Sequence, residues 1–120
     1  MSDEASGIES VVSDYVVGMA RGNRDLLLQV FHPKAVSVGH FDGVLEWASV
    51  TEFAEACEAE KVLETEPVPA WDIEEVRVSG DTAVVICTNV WAGYRFRDTL
   101  TMLKSDGQWS IVFKLFHHLG

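Results

Sequence analysis

Asp98 draws attention first, because its strand neighbours of the same parity are Phe96, Leu100 and Met102. Successive strand residues face opposite sides, so this acid shares an otherwise apolar face. Burying an unpaired charge is expensive. The carboxyl is therefore paired or neutral, and it is a candidate acid or base. The plainer alternative is a structural hydrogen bond to a loop or to the surroundings of Arg97. Tyr15 lies on the apolar stripe of a helix, where a buried hydroxyl needs a partner. Asn89 and Trp91 share parity with Val85 and Cys87. An amide there can orient a ligand and an indole can stack on one, although a satisfied core amide and a packed ring would look the same.

The histidines divide by context. His40 stands beside a hairpin and is the nearest side chain able to exchange a proton near neutral pH. It is a candidate base or simply an exposed loop residue. His117 and His118 are adjacent, so a strand sends them to opposite faces. His117 shares parity with Trp109, Ile111, Phe113 and Leu115, which points it to the inner side. Asn89, Trp91, Phe96 and His117 are the expected ligand contacts, and Asp98 is a catalytic candidate. Zinc needs three or four convergent ligands, and no such spacing occurs. Neither a metal nor a cofactor is expected. Cys57 has no evident His or Asp partner to activate it. The phosphate-binding glycine loop, HExxH, paired CxxC and G-x-S-x-G motifs do not occur.

The elements that must position these groups are readable. The chain has 120 residues, 48% of them hydrophobic, which suits one domain spanning 1–120. Asp plus Glu number 19 against 9 Lys plus Arg, for a net charge of −10. Nucleic acid and anionic membranes both require a basic face, so neither is an expected partner. Met1 to Gly7 lacks the regions of a signal peptide, and no apolar run has the length of a membrane span. Two cysteines in different elements suit a reducing, cytoplasmic setting.

Ser6-Gly7-Ile8-Glu9 reads as a capping box, followed by Ile8, Val11, Val12, Tyr15, Val16 and Met19 at helical spacing. Gly22 ends that helix, and Asn23 caps a second over Leu26 to Phe31. Ala35–Val38 and Val44–Trp47 read as strands around an Asp42-Gly43 turn. Ser49 to Glu52 caps a third helix through Phe53, Ala56, Cys57, Glu60 and Leu63. Beyond Pro67 and Pro69 the period is two. Strands are expected over Trp71–Val78, Thr82–Ala92, Arg95–Lys104 and Gln108–His118, with a bulge near Glu74-Glu75. The order ααββαββββ predicts an α+β layer, helices on one face of a mostly antiparallel sheet.

In that order, Tyr15–Asp25, Phe31–Ala35, Asp42-Gly43, Gly80–Ala83 and Ser105–Val112 resemble the nuclear transport factor 2-like superfamily. Phe96–Lys104 and Trp109–His117 resemble its "putative lumazine-binding" subgroup. The resemblance implies a cone, in which the three helices pack on a sheet curled around a pocket. It also implies, from the similar ketosteroid isomerases, that Tyr15 is an oxyanion donor. Asp98 falls near the isomerases' acidic partner but not on its position. Their general-base aspartate has no counterpart in Val38-Gly39-His40-Phe41. Tyr15 and His40 join Asp98 as catalytic candidates through this resemblance. Because one fold hosts many functions, three expectations stand together. The first is a pocket for an aromatic or polycyclic apolar ligand. The second is an isomerase, cyclase or dehydratase with His40 or Asp98 as base. The third is an assembly module pairing into a homodimer through an outer sheet face that carries Val84, Ile86 and Thr99.

Overall fold

A computed structural model describes residues 2–120, with side chains from Glu4 onward. Its elements run α1 (Ser2–Arg21), α2 (Arg24–Val30), β1 (Phe31–Phe41), β2 (Val44–Ser49), α3 (Val50–Ala59), β3 (Asp72–Ser79), β4 (Thr82–Trp91), β5 (Tyr94–Ser105) and β6 (Gln108–His118). This is the expected ααββαββββ order. The strands form one curved sheet in the order β2-β1-β6-β5-β4-β3. All neighbours are antiparallel except β1 and β6, which run parallel and bring the two ends of the sheet's sequence together.

Local chemistry explains most boundaries. Asn23 accepts from Leu26 N–H, and the Ser49–Glu52 capping box is closed in both directions. The Asp42-Gly43 turn has positive φ at both residues, the geometry of a tight hairpin. Ala92-Gly93 makes the same turn, so the strand there ends at Trp91 and not at Ala92.

Several expected boundaries move, three of them by four residues. α1 starts at Ser2, ahead of the capping box at Ser6. Glu4 holds this first turn to the sheet through Lys104 Nζ at 2.6 Å. α3 stops at Ala59, where Glu60 is the C-cap, and Leu63 lies exposed beyond it. β1 begins at Phe31, four residues before Ala35. Its pairing with β6 is irregular between Phe31 and Val36, so Pro33 is accommodated where no ladder bond is required of it.

Two bulges set the sheet's faces. The first lies between Ile73 and Glu75, as expected. The second is in β6. Thr101 pairs with Phe113 but Met102 with Ile111, which leaves Val112 as an extra residue. After Val112 the parity reverses. Lys114 and Phe116 are buried on the helix-covered face, while Leu115 and His117 are exposed on the other. The inward placement expected for His117 is therefore wrong, and the cause is this one inserted residue.

The core lies between the helices and the inner sheet face. Tyr15 of α1, Phe31 of β1 and Phe53 of α3 pack ring to ring at 5.7–6.4 Å. Where β1 passes β6, Gly39 opposes Phe116 so closely that a Cβ would lie 2.5 Å from its carbonyl oxygen. Gly39→Ala should consequently destabilise the fold by about 1–3 kcal/mol, measured as a lower urea midpoint with an unchanged slope.

Candidate functional site

The inner face of β4 and β5 forms the floor of the site. β4 presents Val85, Cys87, Asn89 and Trp91, and β5 presents Phe96, Asp98, Leu100 and Met102. Asp98 is 1% exposed and Asn89 3%. Tyr15 Oη donates to Asp98 Oδ2 at 2.5 Å, and Asn89 Nδ2 donates to the same oxygen at 2.7 Å. Charge-assisted bonds of this length are the strong kind. One carboxylate oxygen thus receives a donor from the helix and another from the sheet. The second, Asp98 Oδ1, is buried and has no partner among the described residues.

Above this floor lies a cavity of about 350 Å³. Asp98, Asn89, Ser37 and Lys114 supply its polar lining, and Phe41, Phe53, Trp91, Phe96 and Phe116 its aromatic walls. Glu46, Trp47 and Ala48 of β2 and Glu52 of α3 border it. Trp91 Nε1 is also buried without a partner among the described residues. Tyr15 does not line the cavity. It stands behind Asp98 and orients it.

Lys114 is the residue that sequence reasoning missed. It is 6% exposed, and its ammonium lies 3.9 Å from the Phe53 ring centroid and 5.4 Å from those of Tyr15 and Phe116. These are cation–π distances. No carboxylate lies within ion-pair distance of it among the described residues. Nothing local in the sequence announces the Val112 bulge that turns this lysine inward.

The remaining candidates fall elsewhere. His40 and His117 are exposed and neighbour one another across β1 and β6. They line a separate cleft on the outer face with Arg97 and Leu115. The expectation that His40 could reach a pocket ligand fails on this geometry, since alternate residues of β1 face opposite ways and Ser37, Gly39 and Phe41 take the inner side. His32 lies just after α2, at the start of β1, where its Nδ1 accepts from Lys34 N–H. Cys57 and Cys87 are buried free thiols, each pushed up to about 12 chiefly by burial. Neither is suited to act as a nucleophile.

Three helices on one side of a curved six-stranded sheet, with a cavity between them, define the nuclear transport factor 2-like class. The chain belongs within it to the family described as "Putative lumazine-binding", whose model matches residues 3–117. Among solved structures it resembles a nuclear transport factor 2-like protein of unknown function from Silicibacter pomeroyi. The two share 40% identity over 98% of this chain and 97% of that one, with a TM-score of 0.93. A second such protein of unknown function, from Shewanella baltica, is 22% identical over 100% and 97%, with a TM-score of 0.87. A ketosteroid isomerase-like protein from Erwinia carotovora atroseptica is 17% identical over 100% and 99%, with a TM-score of 0.74. The last two likenesses are of fold alone. No curated protein matches the chain.

Burial, and next the Asp98 charge, raise the Tyr15 hydroxyl well above its ordinary 10.0. In the unfolded chain the thiols release their protons near 9.0 and the phenol near 10.0, whereas the fold retains all three. Their contribution to stability is complete below pH 9 and is lost as the pH climbs toward 12. Tyr15→Phe should lower stability at pH 7 by about 1–3 kcal/mol, because it removes a buried donor from a charged acceptor. Urea melts across pH 7–12 should also show a shallower alkaline decline for this variant above pH 10.

Proposed function

We propose that this protein binds a small, neutral molecule in the cavity, built on an aromatic or polycyclic ring system with one polar edge. The observation that carries this reading is the aromatic-walled cavity itself, with Asp98, whose buried Oδ1 has no partner among the described residues, in its lining. Buried polar atoms are nearly always satisfied, and a ligand N–H or O–H would satisfy this one. Trp91 Nε1 and the Lys114 ammonium offer donors to an acceptor on the same ligand. An apolar pocket with a few placed polar groups is the usual form of a ligand site. Neutrality follows from charge. The chain carries −10, and Glu46 and Glu52 stand at the cavity's border, so anions are repelled on approach.

Acid–base chemistry is the second reading, favoured by the placement of Asp98 and Lys114 in one cavity. Asp98 would move the proton and Lys114 would stabilise the developing negative oxygen, with Tyr15 positioning the carboxylate. Two buried free thiols support a reducing, cytoplasmic setting.

Native mass spectrometry of protein purified from its own host should reveal a bound small molecule that is lost on denaturation. Asp98→Asn should weaken retention of that molecule by about ten- to a hundredfold, the value of one hydrogen bond to a charged group. A host-purified protein free of ligand, or a bound molecule that the variant retains unchanged, would count against the pocket.

We also propose that two copies pair through the outer sheet face. Trp47, Val38, Leu115, Thr99 and Ile86 are register neighbours across five strands there; Trp47 and Leu115 are 65% and 48% exposed, Thr99 and Ile86 partly so, and Val38 is buried between them. Val84 lies on the same face beside Thr101. An apolar patch of this kind marks an interaction surface. Sedimentation at micromolar concentration should give a dimer, and Trp47→Glu should give a monomer that remains folded.

A further inference from the structure

We propose that Lys114 condenses with a small aromatic aldehyde held in the cavity, forming an imine. This rests on the cavity being a ligand site. Its own observations are the enclosure of the lysine, the aromatic rings around its amine, and, on its diagonal strand neighbour, a carboxyl oxygen with no partner among the described residues. Lys114 is 6% exposed and lines the cavity. Because no carboxylate pairs with it among the described residues, reaction does not have to break an ion pair. Replacing an enclosed ammonium by a neutral imine also removes a charge from an apolar site, which desolvation favours. An iminium formed at the same nitrogen would keep the ring faces of Phe53, Tyr15 and Phe116 as cation–π partners.

Asp98 is placed to move the protons. It pairs with Phe116 across β5 and β6, so Lys114 is its diagonal neighbour, about 7–8 Å away. Its Oδ2 is occupied by Tyr15 and Asn89, and its buried Oδ1 has no partner among the described residues. In the step, the ammonium first releases one proton to solvent, and the lysine nitrogen, now an amine, adds its lone pair to the carbonyl carbon. The carbonyl π bond opens, and the oxygen takes a proton relayed from the attacking nitrogen through Asp98. A second proton leaves with that hydroxyl as water, and the nitrogen lone pair closes the C=N bond. Amine and aldehyde thus become imine and water, with no oxidant or reductant required. The aromatic walls select a ring-bearing aldehyde, and the acidic border selects a neutral one.

The test uses benzaldehyde with cyanoborohydride to trap the imine, intact mass to count adducts and peptide mapping to place them. The chain's other lysines, Lys34, Lys61 and Lys104, serve as internal references; Lys34 and Lys61 are exposed. The expected result is one benzyl adduct on Lys114, formed about tenfold or more faster than on Lys34 or Lys61 by virtue of the bound geometry. Asp98→Asn should slow it, Lys114→Arg should abolish it, and urea should make all four lysines react alike. Mapping on the unmodified protein needs no variant, so a misfolding substitution leaves the result intact. Labelling spread over the exposed lysines, with Lys114 no faster, overturns the proposal. Benzyl alcohol, which has the same ring and no carbonyl, separates the two levels. If it binds while no adduct forms on Lys114, the covalent step is wrong and the pocket stands; if neither molecule binds, both are wrong.

Discussion

The burial of one carboxylate organises this molecule. Asp98 sits at 1% exposure on the floor of a sheet, a position tolerated only with strong compensation. Two donors converge on its Oδ2, Tyr15 from α1 and Asn89 from β4. The helix must therefore cross the sheet at the height that delivers a phenol to the middle of β5. That placement brings Tyr15 against Phe31 and Phe53 and ties α1, β1 and α3 into one aromatic cluster. Buried polar networks reward full satisfaction and penalise partial satisfaction. The fold satisfies one oxygen of Asp98 twice and leaves the other buried without a partner among the described residues, so the packing of the core and the lining of the cavity meet at a single side chain.

The Val112 bulge is the second constraint. Without it, strict alternation from Trp109 would carry Phe113, Leu115 and His117 inward and Lys114 outward. The extra residue exchanges these sets. The cavity then receives an amine and a phenyl ring where it would have received an imidazole. The outer face receives Leu115 beside Val38 and Trp47. Both proposed surfaces, the inner cavity and the outer pairing face, depend on this displacement.

Element order and type were legible because each rests on local chemistry. Capping residues mark α2 and α3, paired positive-φ turn positions mark hairpins, and period two marks the C-terminal strands. Parity on β4 and β5 was legible for the same reason, since no bulge interrupts their pairing from Thr82–Leu103 to Trp91–Tyr94. Asn89, Trp91, Phe96 and Asp98 could therefore be assigned to one face. The bulge near Glu74 announced itself because Ile73 and Val76 fell out of phase. The one at Val112 did not, because Ser-Ile-Val-Phe is uniformly β-forming and apolar on both sides, with no glycine or break in pattern. Inward lysine and outward histidine were thus hidden together.

That hidden exchange alters the chemistry which resemblance alone implies. An oxyanion-donating tyrosine would aim its hydroxyl at a ligand. Here Tyr15 donates its hydroxyl hydrogen bond to Asp98 and lies behind it, outside the cavity lining. The positive group facing the interior comes instead from β6, as Lys114. Where two polar donors side by side would favour a developing anion, this cavity opposes a carboxylate oxygen to an ammonium across a diagonal of the sheet. Such a pair favours a neutral, dipolar ligand over a charged one, in keeping with the acidic groups at the border and the net charge of −10. On the proposed reading, selectivity lies in the alignment of a dipole, fixed at one end by Tyr15 and Asn89 through Asp98 and at the other by three ring faces around Lys114.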